Sequence, residues 1–120
     1  MVHIRNSLLT GSTQGIYGAL YLELISNPWL LLIIENSVIS NNIMTDASKL
    51  GVGMTVYIPA LGQDPIITLR NVSFLNNERY GGIHSAIIVL YCANNVTFTD
   101  CKFNVNRGTA ICAYQSIFSV

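Results

Sequence analysis

ITLRNVSFLNN, residues Ile67–Asn77, has three ungapped counterparts along the chain: VHIRNSLLTGS at Val2–Ser12, LIIENSVISNN at Leu32–Asn42 and VTFTDCKFNVN at Val96–Asn106. Successive copies start 30, 35 and 29 residues apart. Aligned, they give four columns: Val2, Leu32, Ile67, Val96; Ile4, Ile34, Leu69, Phe98; Ser7, Ser37, Val72, Cys101; and Leu9, Ile39, Phe74, Phe103. Fourteen of these sixteen positions are apolar and two are serine. Apolar residues two apart, then a step of three, then two apart again, describe two short strands meeting at a corner. At that step stand Asn6, Asn36, Asn71 and Asp100, residue types that bond their own backbone and tolerate unusual φ and ψ. Ser12, Asn42, Asn77 and Asn106 mark a second polar corner.

A glycine-containing loop and a third apolar run follow each copy. The runs are Tyr17–Leu24, Gly53–Ala60, His84–Tyr91 and Thr109–Tyr114. In the first, Leu20, Leu22 and Leu24 alternate with Ala19, Tyr21 and Glu23, so the leucines are expected to face inward. The matching inward residues are expected to be Val56 and Ile58, Ile87 and Val89, and Ile111 and Ala113. The loops between, among them Glu78–Gly82, differ in length, as surface connections do. Each unit of roughly 30 residues therefore carries three short strands and no helical period. So thin a unit cannot bury its own apolar face, but stacked units can. The expected solution is an all-β coil of about four turns, with like strands pairing in parallel about 4.8 Å apart. A leucine-rich repeat fits less well, because a third strand stands where its helix would. A β-sandwich would not require fixed columns.

Composition narrows the function. The chain has 120 residues, enough for one domain. It is 51% hydrophobic and only 10% charged, with six basic residues balancing six acidic ones. Twelve Asn, ten Ser and eight Thr take the place of the missing charge. This balance excludes a nucleic-acid partner held by phosphate neutralisation and a polybasic membrane segment. The apolar stretch 16–34 is interrupted by Glu23, Ser26, Asn27 and Pro28 and predicts no membrane span. Cys92, Cys101 and Cys112 have no metal-binding spacing. They read as small apolar core residues, with one disulfide open to them in an oxidising compartment.

The residues Asn71-Val72-Ser73-Phe74, Asp100-Cys101-Lys102-Phe103 and Gly81-Gly82-Ile83-His84-Ser85-Ala86-Ile87 resemble the right-handed parallel β-helix superfamily of pectin-lyase-like proteins. They are most similar to extracellular repeat proteins within it. The resemblance covers nearly the whole chain. It implies a right-handed parallel β-helix, or solenoid, in which 1–120 form one segment of a longer solenoid at the cell surface or outside the cell. Fold alone does not fix function, since the superfamily holds enzymes, adhesins and structural proteins.

Its polysaccharide-cleaving members use clustered carboxylates. Here Glu23, Glu35, Asp46, Asp64, Glu78 and Asp100 are dispersed along the chain. A non-enzymatic spacer or adhesive surface, without a cofactor, is therefore expected; non-catalytic coils of a polysaccharide lyase or hydrolase are the alternative. Carbohydrate or other cell-surface proteins are the expected partners, along with flanking coils or a second copy stacked end to end. Candidate contact residues are Tyr21 and Tyr57, read as equivalent outward positions, and Arg5 and Arg70, which flank Glu35 in an outward column. The histidines, His3 and His84, lie in no acid/base or metal spacing. Asn71 and Asn95 head glycosylation sequons, of which about two are expected by chance in a chain so rich in Asn, Ser and Thr.

Overall fold

The structure, a computed structural model, describes residues 1–13, 18–23, 30–45, 51–58, 65–80, 86–91, 93, 95–114 and 118–119. Within them the chain is all-β. In order come β1 (Val2–Arg5), β2 (Leu8–Thr10), β3 (Leu20–Glu23), β4 (Leu31–Glu35), β5 (Val38–Ser40), β6 (Ile43–Met44), β7 (Met54–Tyr57) and β8 (Ile66–Arg70). They are followed by β9 (Ser73–Leu75), β10 (Glu78–Arg79), β11 (Ala86–Tyr91), β12 (Val96–Thr99), β13 (Lys102–Asn104), β14 (Thr109–Tyr114) and β15 (Phe118–Ser119). Every pairing among these strands is parallel. One sheet runs β1-β4-β8-β12-β15, a second β2-β5-β9-β13 and a third β3-β7-β11-β14. In each, strands lie side by side in chain order, and the chain visits the other sheets before returning.

The register in the first two sheets is that of the sequence columns. Val2 pairs with Leu32, Leu32 with Ile67 and Ile67 with Val96. Ile4, Ile34, Leu69 and Phe98 form the next row. Leu9, Ile39, Phe74 and Phe103 form another, in which the Phe74 and Phe103 rings stack 4.8 Å apart. Ile34, Ile39, Ile67, Leu69 and Phe74 are fully buried in one core with Met54, Val56, Ile58, Ile88 and Leu90 from the third sheet. Each such side chain contributes about 1.5–3 kcal/mol by leaving water. The serines of the third column fit for a polar reason. The Ser37 hydroxyl donates to the Glu35 carbonyl at 2.8 Å and accepts the Ser7 backbone N–H at 3.1 Å.

The third sheet departs from the expected phase in β11. Leu20, Met54, Ile88 and Ile111 share one row, and Leu22, Val56, Leu90 and Ala113 the next. Ile88 and Leu90 therefore continue the rows of Met54 and Val56, while Ile87 lies in the core as expected and Val89 is buried. Val56 and Ile58 are in the core as expected, Ile111 packs against it and Ala113 is exposed. The reason is that β11 is buried on both faces, so no polar residue marks its outer side. Gly51 lies against that outer face, its N–H donating to the Thr55 hydroxyl at 2.8 Å. A β-carbon on Gly51 would stand 2.8 Å from the Ile87 carbonyl oxygen, so the approach requires glycine. Leu24 lies outside the described residues.

A further short pairing, β6 with β10, joins the three sheets and is prolonged by bridges from Thr13 to Ile43 and from Glu78 to Arg107. The segment beginning at Glu78, expected to be loop, thus starts as strand. It buries Arg79, whose guanidinium donates to the carbonyls of Tyr80 at 2.9 Å and Met44 at 3.4 Å.

Two corners per layer bend the chain from strand to strand through single left-handed residues. Asn6, Asn36, Asn71 and Asp100 have φ of 50°, 49°, 50° and 53°. Gly11, Asn41, Asn76 and Val105 have φ of 79°, 54°, 50° and 54°. Glycine and asparagine adopt this conformation cheaply and a β-branched residue does not. Val105 is the misfit, and it is also 75% exposed. Val105→Asn is expected to stabilise the fold by about 1 kcal/mol. In urea denaturation the midpoint should rise with an unchanged slope; an unchanged or lower midpoint would contradict the strain argument.

Candidate functional site

The corners hold most of the polar order. Beside the left-handed residues, Ser12, Asn42, Asn77 and Asn106 form an inward ladder. Asn42 and Asn77 are fully buried. Asn77 Oδ1 accepts the backbone N–H of Asn42 at 3.2 Å and its Nδ2 at 2.9 Å. Asn106 Oδ1 accepts the same pair from Asn77, at 2.9 and 3.1 Å. Each Nδ2 also donates to a carbonyl of the layer before it: Asn42 to Leu9, Asn77 to Ile39 and Asn106 to Phe74. An asparagine offers both donors and acceptors, so one residue type satisfies both neighbouring layers. Two outer amide steps accompany the ladder, Asn71 to Asn36 at 3.0 Å and Asn76 to Asn41 at 2.8 Å.

The aromatic face differs from expectation. Tyr21 pairs in register with Thr55, and Tyr57 with Glu23, so Tyr21 and Tyr57 are two positions out of step. Tyr21 turns instead to Glu23, its hydroxyl donating to the carboxylate at 3.4 Å. Tyr57 belongs to a different row, Glu23, Tyr57, Tyr91 and Tyr114, across four strands. Tyr57 meets Tyr91 edge to face with ring centroids 5.7 Å apart, and Tyr91 stacks on Tyr114 at 4.6 Å with ring planes 9° apart. The sequence signal for this row is that the last three third-sheet strands all end in tyrosine. The stacked faces of Tyr91 and Tyr114 cover each other, and the Tyr114 hydroxyl is buried.

Burial raises the Tyr91 phenol above its ordinary pKa, reinforced by Cys112 and Tyr57. Tyr114 is pushed further the same way by desolvation, a hydrogen bond with Cys112 and its charge, and the neighbouring Tyr91. The folded state thus holds these protons more tightly than the unfolded chain. The stability they contribute is complete below about pH 10 and is lost as pH rises through the raised values. A spectrophotometric phenol titration should show late-ionising phenols that are lost in Tyr91→Phe and Tyr114→Phe. Denaturation midpoints should fall above about pH 10 more steeply than in Tyr114→Phe, and equal slopes would contradict this account.

In the outward column Arg5, Glu35, Arg70 and Thr99 are aligned as expected. The expected pairing is met on one side only. Among the described residues Glu35 Oε1 lies 4.0 Å from Arg5 and 3.0 Å from His3 Nε2, and Arg70 is not within ion-pair distance of it. His3 sits on the adjacent strand, in register with Ile33, and reaches Glu35 first. On the far side of β10, Tyr80 donates to Glu78 Oε2, and the Arg107 guanidinium lies 4.3 Å above the Tyr80 ring. Arg107 is not among the contact residues expected from the sequence.

Asn71 and Asn95 are both exposed and both left-handed, at φ 50° and 56°. Cys101, which stands just before β13 and packs against the core, and Cys112 in β14 are half-buried free thiols, because β13 and β14 end the described runs of their sheets. Burial raises the Cys101 thiol pKa, against backbone hydrogen bonds that lower it. Cys92, His84, Asp46 and Asp64 lie outside the described residues, as does much of the glycine-rich stretch that carried the family resemblance. Among the described residues no three His, Cys, Asp or Glu side chains are grouped to hold a metal ion, and no helix is long and apolar enough to cross a membrane. Compared with family models, curated proteins and solved structures, the chain matches none.

Proposed function

We propose that this chain is a segment of a right-handed parallel β-helix, akin to the pectin-lyase-like superfamily, and that it serves outside the cell as a non-enzymatic spacer. Its outer sheets would offer a contact surface to carbohydrate or to other surface proteins. Parallel strands returning to the same sheet after visiting two others support a coil, and parallel crossovers are right-handed in nearly all folds. The asparagine ladder is the observation that carries the structural role. Its side chains use their hydrogen-bonding capacity on neighbouring layers and leave little for a substrate. The described carboxylates support the same reading. Glu23 lies on the third sheet, Glu35 on the first, Glu78 on β10 and Asp100 at a corner. A glycosidase needs two carboxyl groups within about 5–10 Å across one sugar.

A carbohydrate contact would use the ring edges of Tyr57, Tyr91 and Tyr114, with Tyr21 beside them. Exposed Asn71 and Asn95 are compatible with glycosylation in a secretory pathway. The test is incubation of the purified chain with polygalacturonate and neutral polysaccharides, following both retention and chain cleavage. The expected result is retention with a Kd on the order of 1 mM, weakened severalfold in Tyr57→Ala, and no new chain ends. Cleavage that disappears in Glu78→Gln would overturn the spacer reading.

A further inference from the structure

The stacked tyrosines of the third sheet are placed for a covalent modification, and we propose that Tyr91 and Tyr114 form an intrachain dityrosine cross-link under oxidation by peroxide and a haem peroxidase. The inference needs only the paired rings and stands apart from the role proposed above.

Three features favour this pair. Tyr91 and Tyr114 are register partners on adjacent parallel strands, so their backbones stay one strand spacing apart whatever the side chains do. Their ring centroids lie 4.6 Å apart with the planes 9° from parallel, so the two phenols sit side by side. Both residues close their strands and are only half-buried as whole side chains, so each ring can tilt about its side-chain torsions, a motion that also brings the buried Tyr114 hydroxyl towards solvent. Tyr57 is less favoured as a partner of Tyr91, being 5.7 Å away and edge-on. Tyr80 carries Arg107 over its ring.

The chemistry balances. The peroxidase, oxidised by one peroxide, removes one hydrogen atom from each phenol. The two phenoxyl radicals join through a Cε–Cε bond. Each coupled carbon then loses its proton while each oxygen regains one, restoring both aromatic rings. Two hydrogens leave the protein, and the peroxide is reduced to two waters. The link would join β11 to β14 and close the chain between them, restricting the unfolded state as a disulfide does.

The experiment treats the purified full chain at low concentration with hydrogen peroxide and a haem peroxidase, then isolates the monomer. Dityrosine fluorescence in the monomer, a mass lower by two hydrogens and a joined pair of peptides containing Tyr91 and Tyr114 are the expected results. The cross-linked monomer should unfold on the order of 10 °C higher than the untreated chain. Tyr114→Phe and Tyr91→Phe keep the stacked rings but cannot form the second phenoxyl, so each should lower monomer dityrosine at least tenfold. Tyr57→Phe should leave it within twofold. Cys112, two residues before Tyr114 and hydrogen-bonded to it, offers a competing thioether with the same mass loss, and peptide mapping of a Cys112→Ser chain separates the two. A Tyr114–Cys112 link, coupling between chains only, or monomer fluorescence that persists in Tyr114→Phe would overturn the proposal.

Discussion

Asn77→Ala is expected to destabilise the chain by about 4 kcal/mol, although it removes only a small polar side chain. Asn77 is fully buried and joins three layers. Its loss strips the Asn42 backbone N–H and Nδ2 of their acceptor and the Ile39 carbonyl of a donor. Asn106 Oδ1 keeps the backbone donor of residue 77 and loses the side-chain one. Each buried group left unpaired costs about 1–3 kcal/mol. Asn77→Asp separates the two halves of the argument. A carboxylate still accepts from Asn42 but cannot donate to Ile39, and it faces Asn106 Oδ1. That variant should be similarly unstable at neutral pH and recover in part as pH falls towards about 4, because burial beside the Ile39 and Asn106 oxygens makes the folded carboxyl take up its proton above the unfolded pKa. Equilibrium urea denaturation measures both. A loss under about 1 kcal/mol for Asn77→Ala would mean that the ladder contributes little.

Phe74→Ala should cost a similar amount, about 4 kcal/mol, for an apolar reason. Phe74 is fully buried, in register between Ile39 and Phe103 and stacked on the latter. Removing its ring leaves a cavity that parallel neighbours, held by backbone hydrogen bonds on both sides, cannot collapse to fill. Phe103 is only half-buried, so Phe103→Ala should cost about half as much. The double variant should fall short of the sum by about 1 kcal/mol, the coupling of stacked rings. Strict additivity would argue that the two rings do not touch.

How far the sequence foretold these positions depends on how each strand is marked. In the first two sheets the apolar rows are flanked by Asn6, Asn36, Asn71 and Asp100 on one side and by Ser12, Asn42, Asn77 and Asn106 on the other. Polar fixed points on both sides leave one register, and the structure has that register. Third-sheet strands lack such markers. β11 reads AIIVLY and is covered on both faces, so alternation could not say that Ile88 and Leu90 align with Met54 and Val56. The same absence put Tyr57 opposite Tyr21 rather than Glu23. The left-handed row Gly11, Asn41, Asn76 and Val105 was hidden because its members share a backbone conformation and not a side-chain type. The Asn-Asn doublets at 41–42 and 76–77 are its trace in the sequence. Arg79 was missed because a buried arginine has no periodic signature, only a local set of carbonyls to satisfy it.

The central claim is that like rows of successive layers stack in parallel. Side-chain NOEs in the isotopically labelled chain test it most directly, along the row Leu9, Ile39, Phe74 and Phe103. The account predicts contacts from Leu9 to Ile39, from Ile39 to Phe74 and from Phe74 to Phe103, and none from Leu9 to Phe103. A direct Leu9–Phe103 contact, or antiparallel contacts between the consecutive strands β8 and β9, would contradict it.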